Sequence, residues 1–152
     1  MKHRKFAALL VVVAVLAGGC SKRSEAVAIE PGVAIGSVRS GMTIQQVIEK
    51  LGPPDQTNDS VLMYAQLGIQ IAPGSRGQVY RVTIAHPFAG HSKEGIGIGS
   101  SRPEVIRAYG DPTVAKPGTS GCEFLRYSGR GLVVQLHDGK ADMMSVFFPT
   151  AK

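Results

Sequence analysis

A short stretch in the first half of the chain has the hydrophobic spacing of an amphipathic helix. Its apolar residues recur at i, i+3, i+4 and i+7, which places them on one helix face. These residues are Ile44, Val47, Ile48 and Leu51. Thr43 precedes them with Gln46 three residues later, the spacing of a capping box, and Gly52 follows them. The pattern predicts one short, capped helix.

A second stretch repeats these signals. Ser101 and Glu104 have the capping-box spacing, and Pro103 lies in the first turn, where its missing N–H does no harm. The apolar face consists of Val105, Ile106 and Tyr109. We expect this helix to be less completely buried than the first, because Arg102 replaces the isoleucine at the start of the apolar face.

After each helix, short alternating apolar and polar runs separated by glycine-rich turns predict antiparallel hairpins. In the second half, a turn at Gly129-Arg130 sets the strand register. The predicted pairs are Leu125 with Val134, Tyr127 with Leu132, and Glu123 with Leu136. An Asp138-Gly139 turn then leads into a strand over 142–148. The corresponding pairs in the first half are Leu62 with Ile71 and Tyr64 with Ile69.

The two halves align at a constant shift of 58 residues across their helices, which indicates an internal duplication. We predict an α+β fold with two tandem repeats, each a short helix packed on a three-stranded antiparallel meander. The repeats are assigned to 36–85 and 96–152, with a linker over 86–95. About 50 residues make a marginal core, so we expect one composite domain, sharing either a surface or one continuous sheet.

The N-terminus has the three parts of a secretory signal. Basic residues Lys2, Arg4 and Lys5 precede an unbroken apolar run over 6–17, and small residues follow it. As a helix this run is about 18 Å long, well short of the roughly 30 Å hydrocarbon core of a bilayer. The pattern predicts a cleaved signal peptide over 1–19.

The sequence Leu16-Ala17-Gly18-Gly19-Cys20 resembles the lipobox of bacterial lipoproteins. The resemblance implies a diacylglyceryl group on the Cys20 sulfur, palmitate labelling and permanent membrane anchoring. Ser21 follows, and in a Gram-negative cell this implies transfer to the outer membrane, facing the periplasm. The alternative is an ordinary signal with an incidental cysteine. Residues 20–35 lack a helical or strand period and are predicted to form a flexible tether.

Composition limits the classes of function. The chain is 43% hydrophobic and 18% charged, which excludes wholesale disorder. Removal of the signal leaves 14 of the 17 basic side chains against 11 acidic ones, a net charge of +3. Without a basic stripe interleaved with aromatic residues, this balance argues against a nucleic-acid partner.

The repeated pattern Gly-x-Thr/Ser-x-x-x-Val-Ile-x-x-Leu/Tyr-Gly-x-Pro, followed by a tyrosine-bearing hairpin, resembles the SmpA/OmlA (BamE-like) family of outer-membrane lipoproteins. In tandem form it is similar to the β-lactamase-inhibitor-protein fold. The resemblance covers roughly residues 36–148 and implies a role in outer-membrane assembly or maintenance, or inhibition of a hydrolase. Its glycines and prolines serve caps and turns, so it indicates a fold more strongly than a function.

Candidate catalytic groups are few. The predicted register places Cys122 opposite His137 beside Asp138, the skeleton of a Cys-His nucleophile pair, but no oxyanion-hole segment is recognisable. His86 and His91 in the linker are interpreted as solvated side chains rather than metal ligands. We therefore predict no enzyme, no metal and no cofactor, with an envelope enzyme using Cys122 and His137 as the weakest alternative.

The same register leaves one sheet face uncovered by a helix. Its predicted partner-binding residues are Phe124, Arg126, Val133, Gln135 and His137. An aromatic residue and an arginine among amphipathic neighbours are typical of protein interfaces. The alternatives are that the other repeat or a second copy covers the face, or that it is solvated. We predict a lipid-anchored envelope protein that acts as a non-catalytic protein-binding or scaffold module.

Overall fold

The structure is a computed structural model that describes residues 29–148. The predicted signal peptide and the predicted lipid attachment at Cys20 lie outside these residues. Within this range there are two α-helices, α1 (Ile44–Leu51) and α2 (Arg102–Tyr109). Both predicted capping boxes form: the Thr43 N–H donates to Gln46 Oε1 at 2.9 Å, and the Ser101 N–H donates to Glu104 Oε2 at 2.7 Å.

Eleven short strands make up most of the regular structure in the described part of the chain. They are β1 (Ile29–Glu30), β2 (Ala34–Ile35), β3 (Val38–Arg39), β4 (Gln56–Asn58), β5 (Val61–Tyr64), β6 (Ile69–Pro73), β7 (Val79–Ala85), β8 (Val114–Pro117), β9 (Cys122–Tyr127), β10 (Leu132–His137) and β11 (Lys140–Phe147). The first three form a small sheet. The other eight form one antiparallel sheet in the order β4-β5-β6-β7-β11-β10-β9-β8.

The predicted hairpin registers are confirmed in both halves. Leu125 pairs with Val134 and Tyr127 with Leu132, and Leu62 pairs with Ile71 in the first half. A single turn of 3₁₀ helix joins the paired strands in each half, over Ala65–Leu67 and Ser128–Arg130. The alternation of apolar and polar residues determines which face of each strand is buried. It therefore specifies these registers.

The predicted fold class is wrong. The chain is mostly β, and its strands do not form two separate three-stranded meanders beneath helices. Each half contributes four strands to one continuous sheet, joined where β7 pairs with β11. The added strands β4 and β8 are exposed along their whole lengths, so they carry no alternation that a sequence pattern could reveal.

The small sheet also corrects the part of the predicted tether that the structure describes, residues 29–35. Its strands β1, β2 and β3 begin at Ile29, and the side chains of Ile29, Ile35 and Val38 are buried in the main hydrophobic core. The predicted linker over 86–95 is likewise packed, because Phe88 is buried and Ile29 bridges to Ser92. Two-residue strands are too short to show a period in sequence.

The core lies against one face of the eight-stranded sheet. Val47 of α1 and Val105 of α2 are fully buried in the same cluster as the central strands. A tyrosine ties each helix end to the sheet: the Tyr64 hydroxyl donates to the Gly52 carbonyl at 3.0 Å, and the Tyr127 hydroxyl donates to the Gly110 carbonyl at 3.2 Å. Both helices therefore lie on the same face of the sheet and, within residues 29–148, leave the opposite face uncovered by a helix.

Candidate functional site

The side chains that point away from the core on strands β8, β9 and β10 form two cross-strand rows. Lys116 pairs with Phe124, which pairs with Gln135. In the second row, Arg126 pairs with Val114 on one side and with Val133 on the other. We call these six residues the β8–β10 patch: Val114, Lys116, Phe124, Arg126, Val133 and Gln135.

A groove of about 320 Å³ lies on this patch. It is lined by Val114, Lys116, Phe124, Arg126 and Val133. A second groove of about 320 Å³ adjoins it towards the centre of the sheet and shares Arg126 and Val133 as lining residues. The two grooves are therefore adjacent across β9 and β10.

The patch exposes large apolar side chains. Phe124 and Val114 each keep 39% of their surface accessible, whereas Leu125, which points the other way from β9, is fully buried. Complete burial of a fully exposed phenylalanine is favourable by about 1.5–3 kcal/mol, so burial of the remaining 39% of Phe124 is favourable by roughly 1 kcal/mol. Contact with Phe124 would therefore contribute to the binding free energy of a partner that covers this groove.

The charges on the patch are positive. Neither Lys116 nor Arg126 forms an ion pair with another described residue. Asp142 accepts a hydrogen bond from Gln135 Nε2 at 3.2 Å at the margin of the patch. Glu123 projects from the opposite face, where it binds Arg102 at 2.8 Å and raises the pKa of that guanidinium, chiefly through this hydrogen bond. Because Lys116 and Arg126 are not in ion pairs with described residues and Glu123 lies on the other face, the groove is cationic.

The structure brings together four of the five predicted partner-binding residues. Phe124, Arg126 and Val133 line the first groove and Gln135 lies beside Phe124. His137 lies at the far end of β10, exposed and paired with Cys122. Sequence reasoning missed Val114 and Lys116, because the edge strand that carries them was not predicted.

Cys122 and His137 meet at the end of the β9–β10 hairpin. The Cys122 Sγ lies 3.4 Å from His137 Nδ1, and His137 Nε2 lies 3.6 Å from Asp138 Oδ2. The turn that follows His137 has positive φ angles at Asp138 (49°) and Gly139 (76°), which matches the Asp-Gly signal of a tight hairpin. The register of β9 and β10 therefore places Cys122 beside His137, and the tight turn places Asp138 next to the histidine.

Within residues 29–148, no group of three or more His, Cys, Asp and Glu side chains is placed to hold a metal ion. The helices in this part of the chain are also too short to cross a membrane.

Comparison with known proteins informs the fold alone. No protein-family model matches the chain, and no curated protein matches it significantly. Among solved structures it is similar to YjgB, a DUF4309 family protein from Bacillus subtilis subsp. subtilis str. 168. The TM-score is 0.51 at 10% sequence identity, covering 76% of this chain and 84% of that one.

Proposed function

We propose that the chain is a lipid-anchored bacterial envelope protein whose folded part binds another envelope protein without catalysing a reaction. The observation that carries this proposal is the cationic, partly apolar groove of the β8–β10 patch. The eight-stranded sheet has its helices on the other face, so a partner can reach this groove without displacing any described element.

The partner segment that best fits the groove is extended, acidic and apolar. Lys116 and Arg126 have no carboxylate partner among the described residues, and a segment with Asp or Glu would supply one. Phe124, Val114 and Val133 offer contacts for its apolar side chains. Strand β8, which carries Val114 and Lys116, is also an edge of the sheet, where backbone groups remain available to an added strand.

The proposal can be tested by panning a random peptide library against the folded protein. We expect enriched peptides to alternate Asp or Glu with apolar residues. The affinity of one such synthetic peptide is then measured by fluorescence polarisation for wild type and for the double variant Phe124→Ala, Arg126→Ala. Because aromatic and arginine residues at the centre of an interface dominate its energy, we expect affinity to fall about tenfold or more.

A matched double variant, Leu67→Ala with Arg107→Ala, controls for the loss of an exposed apolar side chain and an exposed arginine elsewhere. Leu67 has 44% of its surface accessible, close to the value for Phe124. We expect this control variant to bind the synthetic peptide with the same affinity as wild type. Enrichment of neutral or basic peptides, or equal affinity losses in both double variants, would contradict the proposed site.

The proposed anchor has its own test. Lipidation predicts that the protein labels with palmitate in cells and that the label disappears in Cys20→Ala. In a Gram-negative host, the labelled protein should fractionate with the outer membrane. Wild-type protein without label would refute the anchor while leaving the proposed groove untouched, since the groove belongs to residues 114–135.

A further inference from the structure

The Cys122–His137 pair lies outside the proposed groove and has a chemistry of its own. We infer that Cys122 is an activated thiol which His137 deprotonates for exchange with a disulfide compound, so that this hairpin end is a site of reversible S-thiolation. The inference does not depend on the proposed binding function, because none of its three residues lines the groove.

The geometry suits proton transfer. The 3.4 Å separation between Cys122 Sγ and His137 Nδ1 is hydrogen-bond distance for sulfur. The carboxylate of Asp138 lies 3.6 Å from His137 Nε2. A neutral imidazole can carry its hydrogen on Nε2. That tautomer leaves Nδ1 free to accept the thiol proton. The side chain of His137 is about half exposed and Cys122 is partly exposed, so a small molecule in solution can reach the sulfur.

The other charged groups around the pair do not compete for His137 Nδ1. Lys140 pairs with His137 across the turn, on the strand that lies on the other side of β10 from Cys122. Glu123, next to Cys122 in sequence, is bound to Arg102 on the opposite face of the sheet. The loop over 118–121 that precedes Cys122 contains no charged residue.

The exchange is balanced without any further oxidant. His137 Nδ1 takes the proton from the Cys122 thiol as the sulfur attacks one sulfur of the disulfide. A bond forms between Cys122 Sγ and that sulfur, and the S–S bond of the reagent breaks. The leaving thiolate accepts the proton from His137, so one disulfide is consumed and one mixed disulfide and one thiol are formed.

The test measures the rate of reaction with a neutral dipyridyl disulfide, followed by release of thiopyridone. A neutral probe is chosen because loss of a histidine charge then has no direct effect on its approach. Cys122→Ser defines the background, including any reaction at Cys20. His137→Gln should react about tenfold more slowly near pH 7, and the difference should vanish near pH 10, where thiols ionise without a base.

His86→Gln replaces another exposed histidine and should react like wild type. Asp138→Asn keeps the base but removes the carboxylate beside Nε2, so its rate should fall by less than that of His137→Gln. Equal rates for wild type and His137→Gln near pH 7 would overturn the inference. A deficit in His137→Gln that persists undiminished near pH 10 would also overturn it, because the histidine would then control access rather than ionisation.

Discussion

A glycine at the end of the second 3₁₀ turn provides a sharp test of the central packing. Gly131 has a φ of 59°, and a Cβ added there would lie 2.5 Å from the Phe147 carbonyl oxygen. Its own carbonyl accepts a hydrogen bond from the Phe147 N–H at 2.7 Å. Gly131→Ala therefore strains the backbone and pushes β11 away from the end of β10.

The size of the effect follows from three contributions. Left-handed backbone costs alanine about 1–2 kcal/mol, and a weakened hydrogen bond to Phe147 costs about 1 kcal/mol. Alanine restricts the unfolded chain more than glycine does, and this effect stabilises the folded state by about 0.4–1 kcal/mol. We expect Gly131→Ala to lower the free energy of unfolding by about 2 kcal/mol, which lowers the urea midpoint by about 1 M.

Gly129 is the matched control, two residues earlier in the same turn. Its φ is not positive, and an added Cβ would meet no atom within 4 Å. Gly129→Ala should therefore unfold within about 0.5 kcal/mol of wild type. Urea unfolding followed by circular dichroism measures both variants. Equal midpoints for Gly131→Ala and Gly129→Ala would refute the close approach of Gly131 to β11.

Three further predictions concern the core and the tyrosines. Leu125→Ala, at a fully buried position, should lower the free energy of unfolding by about 2–5 kcal/mol in urea denaturation. Tyr127→Phe removes the hydroxyl that donates to Gly110 and should cost about 1 kcal/mol by the same assay; an unchanged midpoint would contradict that bond. Burial raises the pKa of Tyr64, Tyr109 and Tyr127 above the ordinary value of 10.0, so folding favours their protonated forms. Stability should be unaffected by these groups below about pH 10 and fall as pH rises through the raised values, whereas constant stability up to denaturing alkali would contradict their burial.

Local signals in the sequence were sufficient for both helices and for the longer strands with one buried face. Both capping boxes and the Leu125–Val134 register were predicted correctly, because each depends on residues a few positions apart or on strict alternation. The same reasoning predicted the Cys122–His137 pairing from the turn that joins their strands.

The fold class could not be obtained in this way. Strands β4 and β8 are exposed, and β8 ends in Pro117, so their sequences are typical of turns rather than strands. The pairing of β7 with β11 joins residues about 60 positions apart, and no local pattern specifies such a contact. Val114 and Lys116 lie on β8, so the sequence did not predict their contribution to the groove. It did predict Phe124, Arg126 and Val133 on the same sheet face.

The most direct test of the proposed binding function is photo-crosslinking in living cells. A photoreactive phenylalanine analogue is placed at position 124 in the β8–β10 patch or, as the control, at position 67 on the first 3₁₀ turn. We predict that position 124 crosslinks to a discrete envelope protein through a segment that combines acidic and apolar residues, and that Arg126→Ala weakens this product. No product at position 124, or the same products at both positions, would contradict the assignment of this groove as the binding site.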